Sequence, residues 1–246
     1  MELKLDGIAE EARELVEKLF GALAEALGED LVAGIVSGDA CCGGFTKGRS
    51  VIASTLVVRG IDPGLLDRVA NAVNPFYKKR VPPPLLFTPE DVNNSLDVFP
   101  VEFNDLKLAA RVVAGEYDLG RLKIGKNDLR LQCERELRGL QIHTRLAYLR
   151  LGGKEKELGL MMAAGTAKLL PILRGVVVLL GSKGTGDETA VLSELADKTD
   201  CGKGILADLF ALKHEKKPRF NKGQLLELKQ VLNSLVDRVD KLGSGA

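Results

Sequence analysis

The sequence predicts a mixed α/β N-terminal half with a small sheet, followed by an all-α C-terminal half folded as a helical bundle. Three observations lead there. Before Asp118, short β-rich apolar runs alternate with helical stripes. From Asn127 onward, every apolar pattern has helical spacing. Between them, residues 118–127 carry neither pattern. They set the expected boundary, with one domain over 1–122 and a second over 123–246.

The elements follow in order. Ile8, Ala12, Leu15, Leu19, Leu23 and Leu27 form one helical stripe, and Gly28 ends it. LVAGIVSG is a strand running into a turn. The glycine-rich loop GDACCGGFTKGRS follows, and SVIASTLVVRG is a second strand broken by Gly60 and Pro63. PGLLDRVANAVNPFYKK places Leu65, Leu66, Val69, Ala70 and Val73 on one helical face. RVPPPLLFTPEDVNNSL is a proline-rich connection in which Thr88 caps a helix that starts at Pro89. DVFPVEF is expected as a third strand, and LKLAARVVAGE fits either a strand or a helix. NDLRLQCERELRGLQIHTRLAYLRL is a long amphipathic helix. Helical spacing returns in ELGLMMAAGTAKLLPILRGVVVLL, ETAVLSELADKT, GILADLFALKH and KGQLLELKQVLNSLVDRVDKL. The closing GSGA reads as a frayed end.

Composition narrows the function classes. Over 246 residues the formal net charge is +1, so no global field draws nucleic acid. Aromatic content is 4% and Trp is absent, which leaves few platforms for stacking bases. Nucleic acid is therefore not an expected partner. The four cysteines, Cys41, Cys42, Cys133 and Cys201, form no CxxC pair and read as free thiols of a reducing compartment. His143 and His214 are the two histidines and build no metal cluster. The N-terminus is charged and lacks a signal-peptide core, and the apolar run around GVVVLLG is too short to span a bilayer. The expected location is cytoplasmic, without a membrane partner.

The loop and its following strand carry the most information. Gly38 opens a turn, Asp39 follows it, and Gly43, Phe45, Gly48, Arg49 and Ser50 lead into Val51, Ile52 and Ala53. This pattern resembles the DNA polymerase β-like nucleotidyltransferase superfamily, in particular its small bacterial members. Their motif is a Gly-Ser turn, a small-residue loop with further glycine, then Ser-Asp-apolar-Asp on the next strand. Gly38, Gly43 and Ser50 match. Asp39 stands where the turn serine belongs, and Val51 and Ala53 fall on the two aspartate positions. LFTPEDVNNSLDVFPVEF followed by LRLQCERELRGLQIHTRLAYLR looks like a subfamily with a helical domain attached.

The resemblance implies a chemistry and its loss. In active members, two carboxylates at alternate strand positions share one face and a third acid joins from a neighbouring strand. Together they hold two Mg²⁺ ions against a nucleoside triphosphate. Here Glu102 is the first choice for the surviving third acid and Asp97 the second; Glu102 also fits a strand-edge residue facing water. Gly38, Asp39, Gly43 and Ser50 would frame the phosphates. Arg138, with Arg145, would line a groove for the acceptor or a phosphate, although Arg138 is also spaced to pair with Glu134. No metal ligand set and no bound cofactor are expected. The implied protein is a catalytically inactive or severely impaired pseudoenzyme that acts as a binding, regulatory or assembly module. It would form a homo-oligomer, such as a dimer, or bind a protein partner, with a nucleotide as one candidate ligand. The alternative is an active Mg-dependent nucleotidyltransferase that moves a nucleotide from an NTP to a small molecule or protein, with Asp39 and Glu102 on one metal.

Two further stretches stand out. VVVLLGSKGTGDET has P-loop-like glycines at Gly181 and Gly186, but Asp187 occupies the position that needs lysine, so a helix–helix connection is expected. YKKRVPPP gathers Lys78, Lys79 and Arg80, either as a solvated helix end or as a contact for an anion or RNA.

Overall fold

The computed structural model describes residues 2–199 and 203–243. Cys201 and residues 244–246 lie outside the described residues. The chain divides into two compact units: Met1–Leu96 with Leu106–Lys123, and Asp97–Asp105 with Ile124–Ala246.

The elements of the first half are α1 (Glu10–Leu27), β1 (Leu31–Ser37), the one-turn α2 (Asp39–Cys42), β2 (Ala53–Val58), α3 (Pro63–Val73), β3 (Leu85–Phe87), α4 (Pro89–Asn94), α5 (Pro100–Ala109) and β4 (Ala110–Gly115). The strands form one mixed sheet in the order β3-β2-β1-β4. β1 runs antiparallel to β2 and β4, and β2 runs parallel to β3. Leu3 bridges to Ala114 on β4, and the Lys4 N–H donates to the Val113 carbonyl at 2.8 Å.

The predicted stripe of α1 buries Ala12, Leu19, Leu23 and Leu27 against one sheet face, where Val36, Leu56 and Val58 meet them. The approach is close: a Cβ on Gly34 of β1 would lie 2.4 Å from the Phe20 ring. A smaller cluster of Ala33, Ile35, Val57 and Ala110 covers the other face. Thr88 caps α4 as its sequence predicts. Its hydroxyl accepts the Asp91 N–H at 3.1 Å while the Asp91 carboxylate accepts the Thr88 N–H at 2.8 Å.

One expected strand is corrected. DVFPVEF is a turn followed by the start of α5. Pro100 has no N–H to give a ladder and a φ already suited to a first helical turn. The Phe103 N–H donates to the Phe99 carbonyl at 3.1 Å, which starts the helix. The third strand is Leu85–Phe87, inside the proline-rich connection, and three residues are too few to show a period. LKLAARVVAGE is the end of α5 and then β4, so both of its readings hold in part.

The second unit holds α6 (Lys126–Leu151), α7 (Glu155–Leu179), α8 (Glu188–Thr199), α9 (Lys203–Ala211) and α10 (Lys222–Lys241). α7 is its central element and buries Leu158, Leu169, Leu173, Val176 and Val177. By length and composition α7 is apolar enough to cross a membrane; 61% of its apolar window is buried inside the structure. It also carries a buried charge: Arg174, 2% exposed, pairs with Asp105 at 2.5 Å. The residues around Gly181 and Gly186 follow this helix rather than a strand, so the P-loop arrangement of strand, loop and helix is not formed.

Candidate functional site

The site is built where β1 turns into the glycine loop. Gly38 sits at φ 78° and ψ −151°, a conformation that a side chain disfavours, and it swings the chain into α2. Asp39 is the first residue of that turn. The Ser50 hydroxyl donates to Asp39 Oδ2 at 2.8 Å and accepts the Thr46 N–H at 3.1 Å. The Ser50 N–H donates back to the Thr46 carbonyl at 2.9 Å. Gly43, at φ 82°, closes the turn on its far side. Gly38, Asp39, Gly43 and Ser50 thus belong to one loop, and two of them are bonded to each other.

The chain leaves this loop through Val51 and Ile52 before β2 begins at Ala53. Val51 is 46% exposed, Ile52 is 1% exposed and enters the α1-facing core, and Ala53 is half-buried. Val51 and Ala53 flank the buried Ile52, and of the three only Ala53 lies on the strand. Both side chains end in methyl groups. Hard divalent ions require oxygen ligands, and these positions do not fit one. The neighbours of β2 are β1 and β3, and none of the four strands carries an acidic residue. Among the described residues, no group of three or more His, Cys, Asp or Glu gathers to hold a metal ion.

Glu102 is not on a strand. It lies on α5, in the part of the chain assigned to the helical unit, and its carboxylate accepts from Gln132 Nε2 at 2.8 Å. Gln132 Oε1 in turn accepts the Val101 N–H at 2.8 Å. A buried glutamine on α6 thereby anchors the first turn of α5. Its signal in the sequence is one polar residue among the apolar positions of a helical stripe, which periodicity passes over.

Arg138 makes the predicted intrahelical pair, with its Nε donating to Glu134 at 2.8 Å. It also lines an open cavity of about 700 Å³ with Asp97, Gln132, Arg135 and Ile142. Arg145 does not share that cavity. It lines another of about 620 Å³ with Tyr148, Leu149 and Leu226, whose walls are mainly apolar. Thiol chemistry is disfavoured at two cysteines. Burial pushes the Cys41 thiol up to about 12 and the Cys133 thiol likewise to about 12, so neither is a nucleophile near neutral pH.

No family model matches the chain, and no curated protein matches it. Among solved structures, it is similar to the spectinomycin adenyltransferase AAD(9) from Enterococcus faecialis, crystallised with ATP and spectinomycin. The identity is 11%, the match covers 93% of this chain and 99% of that one, and the TM-score is 0.53. At that identity the likeness establishes the fold. The chain has a nucleotidyltransferase-like α/β part with a small mixed sheet, joined to an all-α part.

Proposed function

We propose that this nucleotidyltransferase-fold protein has lost, or retains only severely weakened, metal-dependent transfer, and that it works as a binding, regulatory or assembly module. One observation carries the reading: no strand of the sheet bears a carboxylate, and the two positions expected to hold metal-binding aspartates are Val51 and Ala53. Removing a single preorganised charge-stabilising group typically costs about 3 to 4 kcal/mol of barrier. Losing both strand ligands removes the means of holding the ion as well.

Asp39 and Glu102 each accept a side-chain hydrogen bond, from Ser50 and Gln132, and among the described residues neither belongs to a group of three or more that could hold a metal ion. The loop frame of Gly38, Gly43 and Ser50 is retained, which favours a remaining binding role. The similar adenyltransferase was solved with ATP, so a nucleotide is the first ligand to try. A homo-oligomer or a protein partner would be the means by which such a module acts.

Transfer is tested with each of the four labelled nucleoside triphosphates, with Mg²⁺ or Mn²⁺, by following labelled protein or small-molecule product. No metal-dependent transfer is the expected result. Metal-dependent turnover with any of the four would overturn the reading.

A further inference from the structure

A cavity of about 360 Å³ lies in the sheet unit, and the glycine loop forms part of its wall through Phe45, Lys47, Gly48 and Ser50, so its assignment rests on the binding role proposed for that loop. Ile52 is part of its lining, and neither Val51 nor Ala53 is. The volume falls in the usual range for small-molecule sites, roughly 300 to 1,000 Å³. Its walls carry Lys18, Lys47, Lys78, Lys79 and Arg80 against Glu11 and Glu14: five cations and two carboxylates, an excess of three positive charges. These residues come from α1, from the loop and from the turn after α3. The fold gathers them, rather than a local run of charge.

We propose that this cavity is an anion site that takes a small oligophosphate, either free or as the tail of a nucleotide. Three observations support it. First, the basic turn is clamped to the loop. The Arg80 guanidinium donates to the Arg49 carbonyl at 2.9 Å, and the Arg80 carbonyl accepts the Ile52 N–H at 3.1 Å. Arg80 does this at φ 61°, the one left-handed non-glycine residue among those described, a conformation maintained only where the surroundings enforce it.

Second, the lysines converge. Lys18 Nζ contacts Glu14 at 2.5 Å, and Lys18 is the one of the five held in an ion pair with a carboxylate among the described residues. Lys18 foremost, with lesser contributions from Lys47 and Lys79, holds the Glu14 carboxyl below its usual value. One carboxylate thus sits among three ammonium groups, where a phosphate with more charge competes with it directly. Third, Lys79 Nζ lies 5.5 Å from the centre of the Phe76 ring, a contact that steers it without neutralising it.

The site differs in kind from a nucleic-acid surface. It is a cavity and not a stripe, and Phe45 is its one aromatic lining residue.

The proposal is tested by calorimetry with inorganic triphosphate and with ATP, in low salt and without any divalent ion. This separates it from the transfer assay, which needs the metal. Stoichiometric binding is expected, weakened at least tenfold in Lys47→Ala/Lys79→Ala and tightened severalfold in Glu14→Gln. Lys216→Ala/Lys217→Ala, which removes the same charge from the helical unit, is expected to bind as the parent does. Equal affinity for both ligands assigns the site to the oligophosphate itself, and tighter ATP binding assigns it to a nucleotide. Absence of heat with both ligands, equal weakening in the two lysine double variants, or displacement of triphosphate by a short single-stranded RNA at lower concentration would each overturn it.

Discussion

The Ser50 hydroxyl donates to the Asp39 carboxylate at 2.8 Å while it accepts the Thr46 N–H at 3.1 Å. Two of the four residues that the family resemblance assigns to framing the phosphates are therefore partners of each other. Ser50→Ala removes the donor to Asp39 and the acceptor for Thr46 together. A loss of about 1 to 2 kcal/mol is expected, because one of the two bonds involves a charged acceptor. The specific readout is hydrogen exchange: the Thr46 amide should lose its protection while the amides of β1 keep theirs.

Val51 is exposed and Ala53 half-buried, so both positions should tolerate a polar replacement. Val51→Asp/Ala53→Asp should fold and should acquire Mn²⁺ or Mg²⁺ binding that the parent lacks, visible by calorimetry. A folded double variant without metal affinity would mean that these positions are not equivalent to the family's aspartates.

The buried thiols set a dependence at high pH. Burial raises Cys41 and Cys133 to about 12 from an ordinary value near 9. An unfolded chain releases these protons above pH 9 while the folded chain keeps them. The stabilisation is thus fully present below pH 9 and is lost as the pH rises towards 12. Within that window each thiol contributes a slope of up to about 1.4 kcal/mol per pH unit. Urea midpoints of the parent should fall more steeply between about pH 9 and pH 11 than those of Cys41→Ala/Cys133→Ala.

Arg174 and Asp105 form a buried pair at 2.5 Å, and Arg174 also donates to the Gly186 carbonyl. Arg174→Met leaves a carboxylate buried without its cation and should cost about 3 to 5 kcal/mol. Arg174→Met/Asp105→Leu should recover most of that loss, since an apolar pair removes the stranded charge. Thermal melts of the two variants make the comparison.

The sequence disclosed some of this more readily than the rest. α1, α3 and the helices from α6 onward were legible because a helical stripe recurs turn after turn, although Leu66 and Ala70, expected inward on α3, are exposed. β1 and β2 were legible from runs of β-branched residues ended by glycine. Leu85–Phe87 was not, because three residues contain no period and three prolines precede them. DVFPVEF reads as a strand because its apolar residues Val101 and Phe103 flank Glu102. Pro100 at the start of a helix outweighs that alternation. The glycine loop was recognisable from its spacing, but the bond between Asp39 and Ser50 joins residues 11 apart and is set by tertiary geometry. Lys78, Lys79 and Arg80 were visible as a basic cluster. Their convergence with Lys18 and Lys47 was not, because no spacing in a single chain encodes it.

The order β3-β2-β1-β4 also bears on solubility during folding. Each outer strand of the sheet is a potential template onto which another chain can add. One is blunted by its brevity and by the prolines before it, which cannot donate to a growing ladder. The other is partly occupied by the chain's own first residues, through Leu3 and Lys4. The N-terminal segment therefore acts as a guard strip against aggregation, and trimming it would expose the sheet to self-association before it altered any ligand contact.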